Sequence, residues 1–238
     1  MFPEIDLSFP VACLYIRIRF GGQYPQGSRI LFQGFLLPGI LRQPKKVKTM
    51  LERLKDSLIN SPVIKRGEYN YFIHPISDGV PSIDPHMVEE ISDYIAEIAD
   101  MNVDTILTVE AMGIPVANAL SLKTGISLTI VRKRPYFLEG EVELSQSTGY
   151  SKGVLYINGL KKGDRIIIVD DVISTGGTLL ALVRALQNMG VEVKDVISVI
   201  GRGDGYLKLK ELGFKPKVLV TIDVSEKGVE IKDVFGDQ

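Results

Sequence analysis

Cysteine is almost missing from this chain: Cys13 is the only one in 238 residues, so no internal disulfide and no cysteine zinc site can form. Histidine is nearly as scarce, and His74 and His86 are too few to build a transition-metal site unaided. The formal net charge is only −1, which argues against a broad nucleic-acid footprint. No apolar run approaches the roughly 20 residues that span a bilayer. The stretch Val11 to Tyr15 is too short for a signal peptide and lacks its basic start and small-residue cleavage site. Internal repeats and low-complexity tracts are absent as well. What remains, 45% hydrophobic and 24% charged, is ordinary for one moderate-sized globular domain, with or without an appendage. The expectation is a cytoplasmic enzyme with no nucleic-acid and no membrane partner.

The first 49 residues read differently from the rest. They carry Phe20-Gly-Gly-Gln-Tyr-Pro-Gln-Gly-Ser28, scattered prolines and no sustained period. From Val47 the spacing turns helical, with Val47, Leu51, Leu54 and Leu58 on one stripe. Met50 stands just inside that helix. Residues 1–49 are therefore expected to be an N-terminal extension, a mis-assigned start or a poorly ordered leader. The other reading is a short docking extension using Leu31, Phe32, Phe35 and Leu36.

From residue 50 onward strand and helix patterns alternate. Tyr69 to Ile73 reads as a strand, Ser77 to Pro81 as a turn, and Asp84-Pro85 as a helix start feeding the stripe Val88, Ile91, Ile95 and Ile98. Thr105 to Val109 and Ser127 to Val131 read as buried strands, joined by a helix that runs from Glu110-Ala-Met-Gly-Ile-Pro115 through Leu122. Pro135 to Gly153 reads as a long polar loop, and Val154 to Ile157 as a strand. A helix on Leu179, Val183 and Leu186, capped by Gly190, is followed by strands Val196 to Ile200 and Val218 to Val224, with a helix near Tyr206 to Leu212 between them. The Arg-Gly-Asp at 202–204 reads as a loop with no adhesive role. The pattern predicts an α/β fold, a doubly wound and mainly parallel sheet.

One stretch is denser in chemistry than any other: Arg165-Ile-Ile-Ile-Val-Asp-Asp-Val-Ile-Ser-Thr-Gly-Gly-Thr178. An apolar run ends in two adjacent acids, then in a hydroxyl- and glycine-rich loop, then in a helix. A buried parallel strand entering a helix this way presents backbone N–H groups and a positive helix end to an anion. The acids sit at the strand's carboxyl end, where open α/β sheets bind ligands. No Gly-Lys-Thr/Ser follows, so this is not a P-loop. A sugar phosphate suits the pairing: loop for the phosphate, acids for hydroxyls or a metal.

Ile166 to Thr178 resembles the phosphoribosyl-diphosphate (PRPP) signature of type I phosphoribosyltransferases. That resemblance implies a sheet of that family's kind with a small hood around 60–82. It assigns Asp170 and Asp171 to the ribose, directly or through water and Mg²⁺, and Ser174, Thr175, Gly176, Gly177 and Thr178 to the 5′-phosphate. Glu110, Ala111, Met112 and Gly113 stand in the place of the family's pyrophosphate loop, and Arg132 and Lys133 match its Arg-Lys. The segment 135–153 resembles the flexible loop that closes over substrate, with Tyr150 retained as a catalytic residue and Gly149 where the adenine enzymes carry an acid. Met112 likewise replaces their arginine. Phe72, Tyr136 and Val172, with Tyr71, are the candidate base contacts. The segments Thr108 to Pro115, Val131 to Arg134 and Thr148 to Gly153 look like the archaeal hypoxanthine/guanine enzymes, which implies transfer to hypoxanthine, and by extension guanine, in a Mg²⁺-dependent homodimer. Adenine as acceptor and a PRPP-sensing regulator are the alternatives.

Overall fold

In the computed structural model, which describes residues 51–147, 152–211 and 213–237, the apolar runs become the inner strands of one six-stranded sheet. The elements along the chain are α1 (Glu52–Ile59), β1 (Val63–Arg66), β2 (Tyr69–Phe72), α2 (Pro75–Asp78), α3 (Pro85–Ile98), β3 (Thr105–Val109), α4 (Gly113–Thr124) and β4 (Ser127–Val131). They continue as β5 (Val142–Ser147), β6 (Lys152–Ile157), β7 (Arg165–Ile173), α5 (Gly177–Met189), β8 (Glu192–Arg202), α6 (Leu207–Lys210), β9 (Lys217–Ser225) and β10 (Gly228–Val234).

The strand order is β10-β9-β8-β7-β3-β4, parallel throughout except for β10, which returns antiparallel along β9. Alternation along β7 explains why both faces are covered. Ile167 and Val169 join a core with Leu54 and Leu58 of α1, Ile91 and Ile95 of α3, and Val116 and Leu120 of α4. Ile166 and Ile168 face the other way, onto Leu179, Leu182, Val183 and Leu186 of α5. Each of these four β7 side chains is fully buried, worth roughly 2 kcal/mol apiece by removal from water. The doubly wound α/β reading holds. The described residues all belong to one compact unit, Val47–Gln238. No helix among them is long and apolar enough to cross a membrane.

Three expectations need correction. Part of the polar loop expected at 135–153 is strand, with β5 and the start of β6 paired as a hairpin, because Leu144, Leu155 and Ile157 alternate inward at period two beneath the polar composition. The helix expected at Tyr206 to Leu212 is a single turn, α6. The strand expected at Val218 to Val224 is not the last of the sheet: Glu226 and Lys227 turn the chain into β10. The N-terminal extension and the Tyr150 segment lie outside the described residues.

The segment expected to form a hood is the β1–β2 hairpin with α2. His74 caps α2, its Nδ1 accepting from the Ile76 N–H at 3.1 Å. Burial pulls the imidazole pKa down to about 4, so the ring is neutral with its proton on Nε2.

Candidate active site

The site is assembled where β3 and β7 end side by side. Asp170 and Asp171 are the last acids of a strand whose preceding residues are fully buried, so they are held in a poorly solvated place. Asp170 is only 7% exposed, and Asp171 is half-buried by area. Burial, then the neighbouring Asp171 carboxylate, holds the Asp170 carboxyl well above the usual carboxylate range, while Lys133 pulls weakly the other way. Burial also pushes Asp171 up to about 6, opposed by the hydrogen bond from Asp170 and by backbone N–H groups. Asp170 thus keeps the proton of the pair and Asp171 carries the charge.

The phosphate loop follows at once. Gly176 adopts the left-handed conformation (φ 72°) at the N-cap of α5, and no side chain caps that helix. A Cβ at Gly176 would lie 2.2 Å from the carbonyl oxygen of Gly205, so only glycine fits. The uncapped amide groups of a 13-residue helix make an anion-receptive cradle. Ser174, Thr175, Gly176, Gly177 and Thr178 therefore do come together as one loop.

Across the sheet, the Glu110 to Gly113 turn ends β3, and its Glu110–Ala111 peptide is cis. α4 starts at Gly113 with no side-chain cap. A Cβ there would sit 2.2 Å from Thr108 Oγ1 and 2.9 Å from Asp170 Oδ1, which presses this second helix N-terminus against the acid pair. Glu110 turns aside to hold the basic run: its carboxylate accepts from the Lys133 N–H, and Arg132 Nε lies 2.9 Å from Oε2. The Arg132 contact is an ion pair without hydrogen-bond alignment, since the same Nε has no hydrogen-bond partner. Met112 does not aim at the turn's anion-facing side. Its Cε lies 3.5 Å from where a Gly79 Cβ would be, at the end of α2 in the hood.

The expected base contacts fare less well. Phe72 is 5% exposed and belongs to the core, so it offers no free face for stacking. Tyr136 lies beyond β4, on the pyrophosphate-turn side of β7, where its hydroxyl accepts from Arg134 Nε and Nη2 at 3.2 Å. Val172 is half-buried in β7, paired with Ile200 of β8. Tyr71 donates to Asp78 at 2.6 Å, and burial with that bond raises its pKa to about 12.

Residues the motif did not point to appear on the opposite side of β7. A cleft of about 440 Å³ is lined by Tyr69, Ser174, Thr175, Arg202, Lys208 and Asp223, among others. The Arg202 guanidinium lies 3.9 Å above the Tyr69 ring centre. The only sequence signal for Arg202 was its place at the carboxyl end of a parallel strand, next to the signature strand.

This geometry defines a phosphoribosyl-binding α/β enzyme, and the comparisons agree. Residues 83–232 match the phosphoribosyl transferase domain, and the chain belongs to that family. It is 93% identical over 189 residues to the hypoxanthine/guanine phosphoribosyltransferase of Methanosarcina mazei, a match covering 79% of this chain and 100% of that protein. The protein of the same name from Methanosarcina acetivorans is 88% identical with the same coverage. Among solved structures, the adenine phosphoribosyltransferase of Thermoanaerobacter pseudethanolicus superposes with a TM-score of 0.60 at 23% identity, over 72% of this chain and 99% of that one. That last likeness speaks for the fold alone.

Proposed function

We propose that the chain transfers the phosphoribosyl group of PRPP to a 6-oxopurine, hypoxanthine or guanine, releasing pyrophosphate. In this reaction the bond from C1′ to the pyrophosphate oxygen breaks, a bond from C1′ to the purine nitrogen forms, and the proton on that nitrogen passes to water or to the departing pyrophosphate. No protein nucleophile is needed. The chain has to hold the ribose, accept the leaving anion and aim the base. Ser174 to Thr178 would grip the 5′-phosphate, Asp171 would accept from ribose hydroxyls, and the Gly113 end of α4 with Lys133 and Arg132 would face the pyrophosphate.

Mg²⁺ fits this donor set in a limited way. No cluster of three or more His, Cys, Asp or Glu that could hold a metal exists among the described residues, so protein ligation would come from Asp171 alone or with Asp170. Such sparse, hard oxygen ligation suits a magnesium ion carried mostly by water and PRPP oxygens. When bound, it would neutralise charge on the departing pyrophosphate.

The observation that carries the choice of base is the Arg202–Tyr69 cleft. Displacement at C1′ needs the incoming nitrogen and the leaving oxygen on opposite sides. The pyrophosphate turn follows β3, so the base belongs over the ends of β8 and β9, below the hood. A guanidinium there donates hydrogen bonds, which matches the O6 and N7 acceptors of a 6-oxopurine and opposes the amino group of adenine. The names of the two Methanosarcina relatives agree with this reading. A PRPP-dependent turnover panel with hypoxanthine, guanine and adenine tests it. The expected ranking puts both oxopurines well above adenine, and a preference for adenine would overturn the proposal.

A further inference from the structure

The phosphate loop does not stand by itself. The turn that follows β8, residues 203–206, lies directly under it and is held by two kinds of contact. The first is steric. Gly205 is buried, and a Cβ on it would fall 1.9 Å from the Ser174 carbonyl oxygen and 2.5 Å from the Gly176 nitrogen. The Gly176 Cβ position in turn meets the Gly205 carbonyl at 2.2 Å. Two backbones are therefore in contact with no side chain between them. The second is polar. Lys208, on α6, donates from Nζ to the Thr175 carbonyl at 2.7 Å. Leu209, the next residue, is fully buried in the α5-side core and anchors the short helix from which Lys208 reaches out.

From these contacts we infer that the segment Gly205–Lys208 positions the phosphate loop, with Lys208 as a clamp on the Thr175–Gly176 peptide. A peptide whose carbonyl is fixed by an ammonium group has its N–H fixed on the opposite side. The Gly176 amide is thereby held on the side away from Lys208 before any ligand arrives. Without the clamp that peptide is free to rotate, and ligand binding has to order it. Lys208 acts through the loop rather than on the reacting atoms, so it is a positioning residue. The inference rests on Ser174 to Thr178 being the 5′-phosphate site and is independent of which purine is accepted.

Kinetics in both directions test the clamp. Lys208→Ala should raise KM for PRPP and for the nucleotide product about tenfold, the scale of one charge-assisted hydrogen bond. KM for pyrophosphate in the reverse reaction should stay within about twofold, because its turn is on the other side of β7. Lys208→Arg should restore most of the loss. Gly205→Ala should be worse than Lys208→Ala, and melting temperatures for all variants separate loop displacement from global unfolding. Unchanged KM for PRPP in Lys208→Ala, or an equal rise for pyrophosphate, overturns the clamp. Ribose 5-phosphate competition against the wild type checks the loop assignment separately: its failure to compete would remove the phosphate site, and the clamp with it.

Discussion

The two strand-to-helix corners proposed to hold PRPP are packed by different material. At the β3–α4 corner, Gly113 is hemmed in by side-chain atoms of Thr108 and Asp170. At the β7–α5 corner, Gly176 is hemmed in by the backbone of Gly205. Side chains can rotate away from an intruding atom, whereas two backbones in contact can separate only if a whole segment moves. The corner proposed for pyrophosphate is thus adjustable, and the one proposed for the 5′-phosphate is rigid. This division suits the chemistry, since the 5′-phosphate is held throughout while the pyrophosphate has to leave.

The largest effect should come from the acid pair that joins the two corners. Asp171→Asn is expected to lower kcat/KM about 1,000-fold, by removing the charge that meets the ribose. Its stability at pH 8 should exceed the wild type by on the order of 1 to 2 kcal/mol, less than the full shift implies because Asp171 keeps part of its contact with water. The sign follows from a raised carboxyl pKa. The folded state disfavours the ionised form, so the cost is absent below about pH 4, grows from there toward pH 6, and is full above it. In the wild type, kcat/KM should fall as pH drops through about 6, and the Asn variant should lack that limb. Near-normal turnover by the variant would remove Asp171 from the mechanism.

A sharper test of the contrast is a matched pair of glycine substitutions. Gly113→Ala should cost roughly 10- to 100-fold in kcat/KM through overpacking. Adding Thr108→Ala should recover part of it, because Thr108 Oγ1 is the nearest obstacle. That hydroxyl is buried without a hydrogen-bond partner, so its deletion leaves nothing unsatisfied. No side-chain deletion can relieve Gly205→Ala in the same way. If the double variant is no better than Gly113→Ala, the distinction between the corners collapses.

The smallest effect concerns Met112. Its side chain lies beside Gly79, with Cε 3.5 Å from where a Cβ there would be, so the Glu110 to Gly113 turn and the end of α2 are neighbours. Met112→Ala should raise KM for the purine about threefold and leave KM for PRPP alone. A rise for pyrophosphate instead would return Met112 to the anion side.

The contrast also separates what was legible in the chain from what was not. Ile166 to Thr178 is contiguous, so apolar run, acids, loop and helix could be read as one device, and the structure keeps them together. The Glu110 to Gly113 turn is singled out by the family resemblance together with its place at a strand end. Gly205 and Lys208 were not found, because their partners lie about 30 residues away and nothing local marks a glycine as the floor of another loop. The cleft proposed for the base escapes a local reading for the same reason: Tyr69, Arg202 and Asp223 meet only after three segments fold together. Aromatic content pointed to Phe72 and Tyr136, but burial claimed the first and Arg134 the second. The β5–β6 hairpin was hidden by its Gly, Ser and acidic residues, although Leu144, Leu155 and Ile157 carried the period.

The strand order has a further consequence, for the timing of folding. β7 pairs with β3, some 60 residues earlier, and with β8, which arrives only after all of α5. Neither neighbour is local, and pairings of that kind close late because the intervening chain must first be ordered. A nascent or partly unfolded chain would hold the whole signature in sequence and still lack the acid pair's surroundings, the Gly113 contact and the Gly205 floor. PRPP should therefore bind the completed sheet alone, and its binding would draw the folding equilibrium toward that state.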